Sequence, residues 1–226
     1  MNKKIKVLSV VGARPNFIKI APVHEAFLRS SDLFEHKICH TGQHYDSTMS
    51  DIFFQDLDMP KPVYFLNAGG GTHAEQTAKI IERFEKVLIE FKPDLVLVPG
   101  DVNSTMACSV TAVKLGIKVG HIESGLRSFD RTMPEEINRI ITDSISDYLF
   151  VTERSGIENL LREGIPKEKM FFVGNTMIDN LIAHLNKISQ KKAFRRLHLE
   201  EKNYVVVTFH RDRKSTRLNS SHESPS

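Results

Sequence analysis

Apolar runs of strand length alternate with helix-patterned segments along most of the chain. "IKVLSVV" (Ile5 to Val11) is nearly continuous in apolar residues, the pattern of a parallel strand covered on both faces. A helix is expected from about Pro15 to Arg29 behind it. "HKICHT", "VYFL", "LVLVPG", "KVGHI" and "DYLFVT" read as further strands. Between "VYFL" and "LVLVPG" lies the clearest helix: Thr72 and Glu75 have the spacing of a capping box, and Ile81, Phe84, Leu88 and Phe91 recur on one face. Pro93 ends it, because proline cannot continue the hydrogen-bond ladder. Strands alternating with helices imply βαβ units, and the expected fold class is α/β with a doubly wound parallel sheet.

In such sheets ligands bind beyond the carboxyl ends of the strands. Three loops that leave those ends carry ionisable groups. After the first strand comes "GARPNFIK", with Gly12 for a tight turn, Arg14 suited to clamping an anion, and Pro15 opening a helix whose free N–H groups favour negative charge. "PGDVNST" follows "LVLV", with Asp101 on the turn and Asn103 or Ser104 placed to cap the next helix. The third loop is "HIESGLRSFDRTMPEEINR". Glu123 comes straight off a buried strand, so its carboxylate must be paired or functional; Arg127 and Arg131 are the expected partners. Glu135 and Glu136 follow Pro134 at a helix start, where dipole complementation and catalysis both account for an acid. Asp101 is equally open to reading as a turn residue. Taken together, Asp101, Glu123 and Glu135 gather like charges in one cleft. That favours keeping a proton on one of them and sets an acid beside a base.

Composition narrows the function classes. The 226 residues are 40% hydrophobic and 26% charged, as in an ordinary globular chain. No apolar run reaches membrane-spanning length, and "MNKKIKVLSVVGARPN" lacks the form of a signal peptide, so no membrane partner is expected and a cytoplasmic location is. Cys39 and Cys108, far apart in apolar segments, suit free buried thiols. The ten histidines are scattered without metal-ligand spacing, and no metal is expected. A net charge of +3 without a basic stripe gives no case for nucleic acid. Gly69 to Gly71, before the capping box, has the form of a flexible turn and lacks the spacing of a phosphate-binding loop.

The segments "GARPNFIKIAP", "PDLVLVPGDVNST", "GHIESGLRSFDRTMPEEINR", "FFVGNTMIDNL" and "VTFHR", in this order from about Lys4 to Arg211, resemble the non-hydrolysing UDP-N-acetylglucosamine 2-epimerases of bacteria. The resemblance implies a GT-B architecture of two Rossmann-like domains with the active site between them. It implies inversion at C2 of UDP-N-acetylglucosamine, giving UDP-N-acetylmannosamine, by elimination of UDP and its re-addition to a 2-acetamidoglucal, without a cofactor. Asp101, Glu123 and Glu135 match the family's catalytic carboxylates, and His210 matches its catalytic histidine. Arg14 and Lys19 match basic residues at the first loop and helix, and Arg211 is placed to face an anion. For a second, regulatory substrate site the resemblance points to Gln43 and Glu136. A homodimer through the N-terminal domain is also implied. The architecture is shared with GT-B glycosyltransferases, which are the alternative reading; a non-catalytic, dimerising fragment is a third.

The expected organisation is a Rossmann-like N-terminal domain over 1–175, a connecting helix and linker over 176–203, and the first strand and loop of a truncated second domain over 204–211. The remainder, "DRKSTRLNSSHESPS" (212–226), has one apolar residue in fifteen and resembles translated cloning sequence, so it is expected to be disordered. With half a cleft, this fragment is expected to be inactive.

Overall fold

The computed structural model describes residues 3–42, 59–200 and 203–207 together with Phe54 and Leu57. Seven strands form one sheet in the order β3-β2-β1-β4-β5-β6-β7, and every pairing is parallel. They are β1 (Ile5–Val11), β2 (Phe34–His40), β3 (Tyr64–Phe65), β4 (Leu95–Pro99), β5 (Lys118–Ser124), β6 (Tyr148–Val151) and β7 (Met170–Phe172). Helices α1 (Arg14–Arg29), α2 (His73–Phe91), α3 (Asn103–Lys114), α4 (Pro134–Ile145), α5 (Arg154–Arg162), α6 (Thr176–Lys191) and the short α7 (Ala193–Arg196) connect and follow them. The doubly wound α/β expectation holds.

Both faces of the sheet are covered, which is why its central strands read as unbroken apolar runs. On one face Leu8, Val10, Val96, Val98 and Val119 pack against Ile80, Phe84 and Leu88 of α2 and Ala107, Cys108 and Ala112 of α3. On the other, Val7, Val11, Leu97 and Ile122 pack against Phe17, Ile20 and Ala21 of α1. Each large apolar side chain buried in this way stabilises the fold by roughly 1.5–3 kcal/mol relative to exposure. Cys39 and Cys108 are both free and buried in the first of these layers.

Local details depart from expectation in three places. The buried stripe of α2 runs through Ile80, Phe84, Val87, Leu88 and Phe91, while Ile81 is only partly buried. The Thr72 hydroxyl accepts from the Glu75 amide at 3.2 Å as expected, and Lys92 in the left-handed region ends the helix. The N-cap of α3 is Val102, not Asn103 or Ser104. Both of those side chains are committed elsewhere: Asn103 donates to Gln76 Oε1 at 2.8 Å, and the Ser104 hydroxyl meets that of Thr41 at 2.7 Å. The seventh strand, β7, is three residues long with Phe171 and Phe172 largely exposed, too short to carry a legible alternation.

The chain divides into two compact units, Met1–Ala183 and His184–Ser226, and the dividing point falls within α6. The four described residues of the expected strand Tyr204 to Thr208 form no ladder, and Val205 and Val206 are exposed. No other strand is described in that unit to pair with them. Within it the rings of Phe194 and Tyr204 stack at 6.0 Å. No described helix is long and apolar enough to cross a membrane, and no described group of His, Cys, Asp and Glu is arranged to hold a metal ion.

Candidate active site

Strand order reverses between β1 and β4, so the loops leaving those two strands part in opposite directions and open a crevice at the carboxyl edge of the sheet. Asn16 spans this point. Its Oδ1 accepts from the amides of Gly12 and Ala13 at 3.0 and 2.9 Å, and its Nδ2 donates to the Pro99 carbonyl at 3.1 Å. The side chain thereby caps the start of α1 and ties the β1 loop to the end of β4. Gly12 is required here for close approach and not for a left-handed turn, since a Cβ would collide with the hydroxyls of Ser104 and Thr41. Arg14 is the first residue of α1 and is exposed beside the crevice.

Glu123 leaves β5 on a bulge. Ile122 pairs with Phe150 and Ser124 with Val151, so Glu123 is skipped in the ladder. Its φ of 71° lies in the left-handed region, a strained conformation for a residue with a Cβ and one that gathers at functional sites. The carboxylate accepts from Lys19 Nζ at 2.7 Å. Lys19 comes from the second turn of α1, is only 6% exposed, and lies against Gly100, whose Cβ would stand 3.0 Å from the ammonium. Lys19 is therefore the partner of Glu123, and the expectation of Arg127 or Arg131 is corrected.

Asp101 follows Gly100 on the β4 loop and pairs with Arg139 of α4. Asn138 donates to the Asp101 carbonyl at 2.9 Å, so consecutive residues of α4 hold both the backbone and the side chain of this aspartate. Arg139 also reaches Glu136 at 2.7 Å. Glu136 is 1% exposed and accepts from the Ser128 amide at 2.9 Å, the Ser128 hydroxyl at 3.1 Å and the Phe129 amide at 3.1 Å. Burial alone would raise its carboxyl, but the Ser128 amide, Arg139 and the Phe129 amide outweigh that and hold it below its ordinary value. Glu136 thus fastens the β5 loop to the first turn of α4. Glu135, one residue earlier and half-buried, has no side-chain hydrogen bond or ion pair among the described residues.

The three carboxylates expected to act together come from two connections, Asp101 after β4 and both Glu123 and Glu135 from the segment joining β5 to α4, and Asp101 and Glu123 are not a bare cluster of like charge. Lys19 compensates Glu123 and Arg139 compensates Asp101, leaving Glu135 the uncommitted member. Arg127 is buried elsewhere, between Asp143 at 2.7 Å and Glu163 at 2.6 Å. His210, Arg211 and Gln43 lie outside the described residues. Sequence reasoning did not single out Asn16, Asn138, Arg139, His121 or Asp143; an asparagine at the third helical position after Gly12-Ala13 was the one local signal available among them.

The family description "UDP-N-acetylglucosamine 2-epimerase" matches residues 26–223. A UDP-N-acetylglucosamine 2-epimerase homolog of Methanococcus maripaludis is 48% identical over 92% of this chain and 57% of its own length. UDP-2,3-diacetamido-2,3-dideoxy-D-glucuronate 2-epimerase of Pseudomonas aeruginosa is 42% identical over 92% of this chain and 58% of its own. The crystal structure of Methanocaldococcus jannaschii UDP-GlcNAc 2-epimerase in complex with UDP-GlcNAc and UDP superposes with a TM-score of 0.81 at 46% identity, covering 85% of this chain and 53% of that one. The chain accordingly spans little more than half the length of the relatives it matches. A family match across most of these residues, carried on a sheet and a site edge of this form, places the chain in the UDP-N-acetylglucosamine 2-epimerase family.

Proposed function

We propose that this chain supplies the N-terminal half of the active site of a nucleotide-sugar 2-epimerase that interconverts UDP-N-acetylglucosamine and UDP-N-acetylmannosamine. The observation that carries this reading is that Asp101 and Glu123 leave the carboxyl ends of the paired strands β4 and β5, with Glu135 in the first turn of the helix that follows, in a chain 46% identical to an epimerase solved with UDP-GlcNAc and UDP. In the forward direction the C1–O bond to UDP breaks and the C2 proton is lost, leaving UDP and a 2-acetamidoglucal. A proton then returns to C2 on the opposite face as the UDP oxygen re-forms its bond to C1. The C2 proton has no adjacent carbonyl to acidify it, so departure of UDP runs ahead and builds positive charge on the ring, which neighbouring carboxylates stabilise. Removal and return of the proton on two faces need two titratable groups on two sides of the sugar. Among the described residues the Glu135 carboxylate has no partner to give up before it moves a proton. Arg14 and the first turn of α1 are the proposed anion site for the diphosphate, and His210 and Arg211 are proposed for the reaction on the sequence resemblance alone.

Turnover is proposed for the whole two-domain protein; the 226 residues alone are expected to give none, because catalysis by positioning fails in half a cleft. The sugar is the point left to a relative's chemistry, since the Pseudomonas aeruginosa relative is named for a diacetamido uronic acid. A proton NMR time course with UDP-N-acetylglucosamine in deuterated water decides it. Epimerisation replaces the C2 proton by deuterium as the manno signal grows, in the full-length protein and not in the fragment. Release of UDP and free sugar, or transfer only when an acceptor is added, would overturn the reading in favour of hydrolysis or glycosyl transfer.

The homodimer reading rests on a separate observation. Helices α2, α3 and α4 leave an open groove of about 540 Å³ lined by Ala74, Ile81, Met106, Pro134 and Ile137, an apolar surface suited to a second copy of the same unit. Light scattering on the eluting chain measures it; a monomer at all concentrations removes the proposal.

A further inference from the structure

His121 lies at the centre of β5, fully buried, between two oxygens that have no proton to give. Its Nδ1 stands 2.6 Å from Asp143 Oδ1 and its Nε2 stands 2.7 Å from the Gly100 carbonyl. A neutral imidazole has one N–H and one lone pair, so in either tautomer one of these contacts would set a lone pair against an oxygen. Both contacts are satisfied only when both ring nitrogens carry hydrogen. The positive charge this requires is met at once: Asp143, also fully buried, is the ring's partner, and its second oxygen takes the Gly125 amide at 3.1 Å and Arg127 at 2.7 Å. Arg127 in turn forks onto Glu163 at 2.7 and 2.6 Å. Two cations and two anions thus alternate from the interior of the sheet to the surface. Burial would raise the Asp143 carboxyl, but His121 and Arg127 hold it below its usual value.

The two backbone groups held by this pair are the significant ones. The Gly100 carbonyl belongs to the peptide unit that carries the Asp101 amide, and Gly125 is two residues beyond Glu123 on the bulged end of β5. We propose that His121 is a positioning residue in the imidazolium form, which with Asp143 sets the spacing between the Asp101 and Glu123 loops. The geometry that the two carboxylates present to a substrate is then fixed from below by a buried charge pair, while Lys19 and Arg139 fix it from the side. Loss of the imidazole proton removes one of the two contacts, and the ring can then hold either Asp143 or the Gly100 carbonyl, not both. The ionisable groups around it are Asp143 from α4 and, through Asp143, Arg127 of the β5 loop and Glu163 after α5; Lys19 of α1 lies across Gly100. The catalytic consequence rests on the epimerase reading, whereas the protonation state and the loop spacing do not.

The test is nitrogen-15 NMR of the histidine rings in the 226-residue chain, with His121 assigned by its loss in His121→Gln. At neutral pH both His121 nitrogens are expected in the protonated range, each coupled to its own hydrogen. One nitrogen in the unprotonated range at neutral pH overturns the proposal. In His121→Gln, the Asp101 and Gly125 amide signals are expected to move from their positions in the unaltered chain. A folded variant in which those two amides stay in place overturns the positioning role. Asp143→Asn gives a second reading: the Gly125 amide shifts and one His121 nitrogen loses its hydrogen. If the Asp143→Asn variant keeps both ring hydrogens, Asp143 does not set the ring's charge, which also overturns it. None of these readings depends on turnover, so a failed epimerase assay and a failed charge assignment are told apart.

Discussion

Lys19 and Glu123, 104 residues apart in the chain, meet at 2.7 Å where α1 passes the bulged end of β5. Their side chains are 8% and 19% exposed, so little water is left to solvate either charge alone. Removing one partner strands the other, and the cost of a stranded, mostly buried charge exceeds what the pair itself contributes. Lys19→Met is expected to lower the unfolding free energy of the chain by about 1–3 kcal/mol. Glu123→Gln is expected to lower it less, because the amide oxygen still accepts from the ammonium. Urea unfolding of the two variants checks the order, and the double variant should recover part of the Lys19→Met loss. Equal and independent losses would mean that the pair is not coupled.

The same glutamate separates stability from chemistry. In a full-length version of the protein, Glu123→Gln should leave the circular dichroism spectrum of the folded protein close to the parent and reduce turnover by about a hundredfold or more, the range for a lost acid–base or charge-stabilising group. Parental turnover by that variant would remove Glu123 from the chemistry, leaving its left-handed φ of 71° as a feature of the bulge alone.

What was legible in the sequence follows the range of the interaction that each residue makes. The runs Ile5 to Val11 and Leu95 to Pro99 were readable as buried strands because coverage on both faces imposes a local pattern, and the capping box of Thr72 and Glu75 lies within three residues. Asp101 and Glu123 were readable as residues of the crevice edge because the carboxyl end of a strand is a fixed place in a doubly wound sheet. The pairing was not readable. Arg127 stands four residues from Glu123 and looked its natural partner, yet it turns to Asp143 and Glu163, while Lys19 arrives from the first helix. His121 inside "KVGHI" looks like any polar residue caught in an apolar strand; its role appears only when Gly100 and Asp143 are brought to its two nitrogens.

That reassignment has a direct test in the two arginines. Arg127→Met breaks a buried pairing on both sides and should cost about 3–5 kcal/mol or prevent folding. Arg131→Ala, at an exposed position, should stay within about 0.5 kcal/mol of the parent. Where Arg127→Met is too unstable to measure, Glu163→Gln reports on the outer half of the same chain of charges. A large loss from Arg131→Ala with little from Arg127→Met would reverse the assignment.

Arg14 opens α1 at the crevice, so its cationic group adds to the partial positive charge of the helix start. In the full-length protein Arg14→Ala should weaken UDP binding by about tenfold to a hundredfold, as for loss of a charge-assisted contact, and leave unfolding unchanged. Calorimetric titration with UDP measures it. Unaltered affinity would move the diphosphate site away from the first turn of α1.

The last prediction concerns acid. His24 of α1 and His36 of β2 face each other with their Nδ1 atoms 2.8 Å apart, so one hydrogen serves both, and His36 Nε2 lies 2.8 Å from the Ser9 hydroxyl. A proton added to the ring whose Nδ1 accepts would set two donors against each other. Burial, and then the charge of His24, pushes His36 down to about 3; burial lowers His24; and burial pushes His40 down to about 4. The unfolded chain takes up these protons near pH 6.5 while the fold refuses them, so the unfolded state binds more protons as pH falls below that point. The contribution of these three histidines is therefore complete above about pH 6.5 and declines toward pH 4, by up to about 1.4 kcal/mol per pH unit for each histidine that titrates only when unfolded. The depressed carboxyls of Asp143 and Glu136 act in the same direction but only as pH falls through the carboxylate range, which leaves the interval from 6.5 to 5 to the histidines. Urea unfolding at half-unit steps across that interval should show the decline, and His36→Gln should make it shallower. A flat profile from pH 7 to 5 would mean that the pair takes up its proton without cost to the fold.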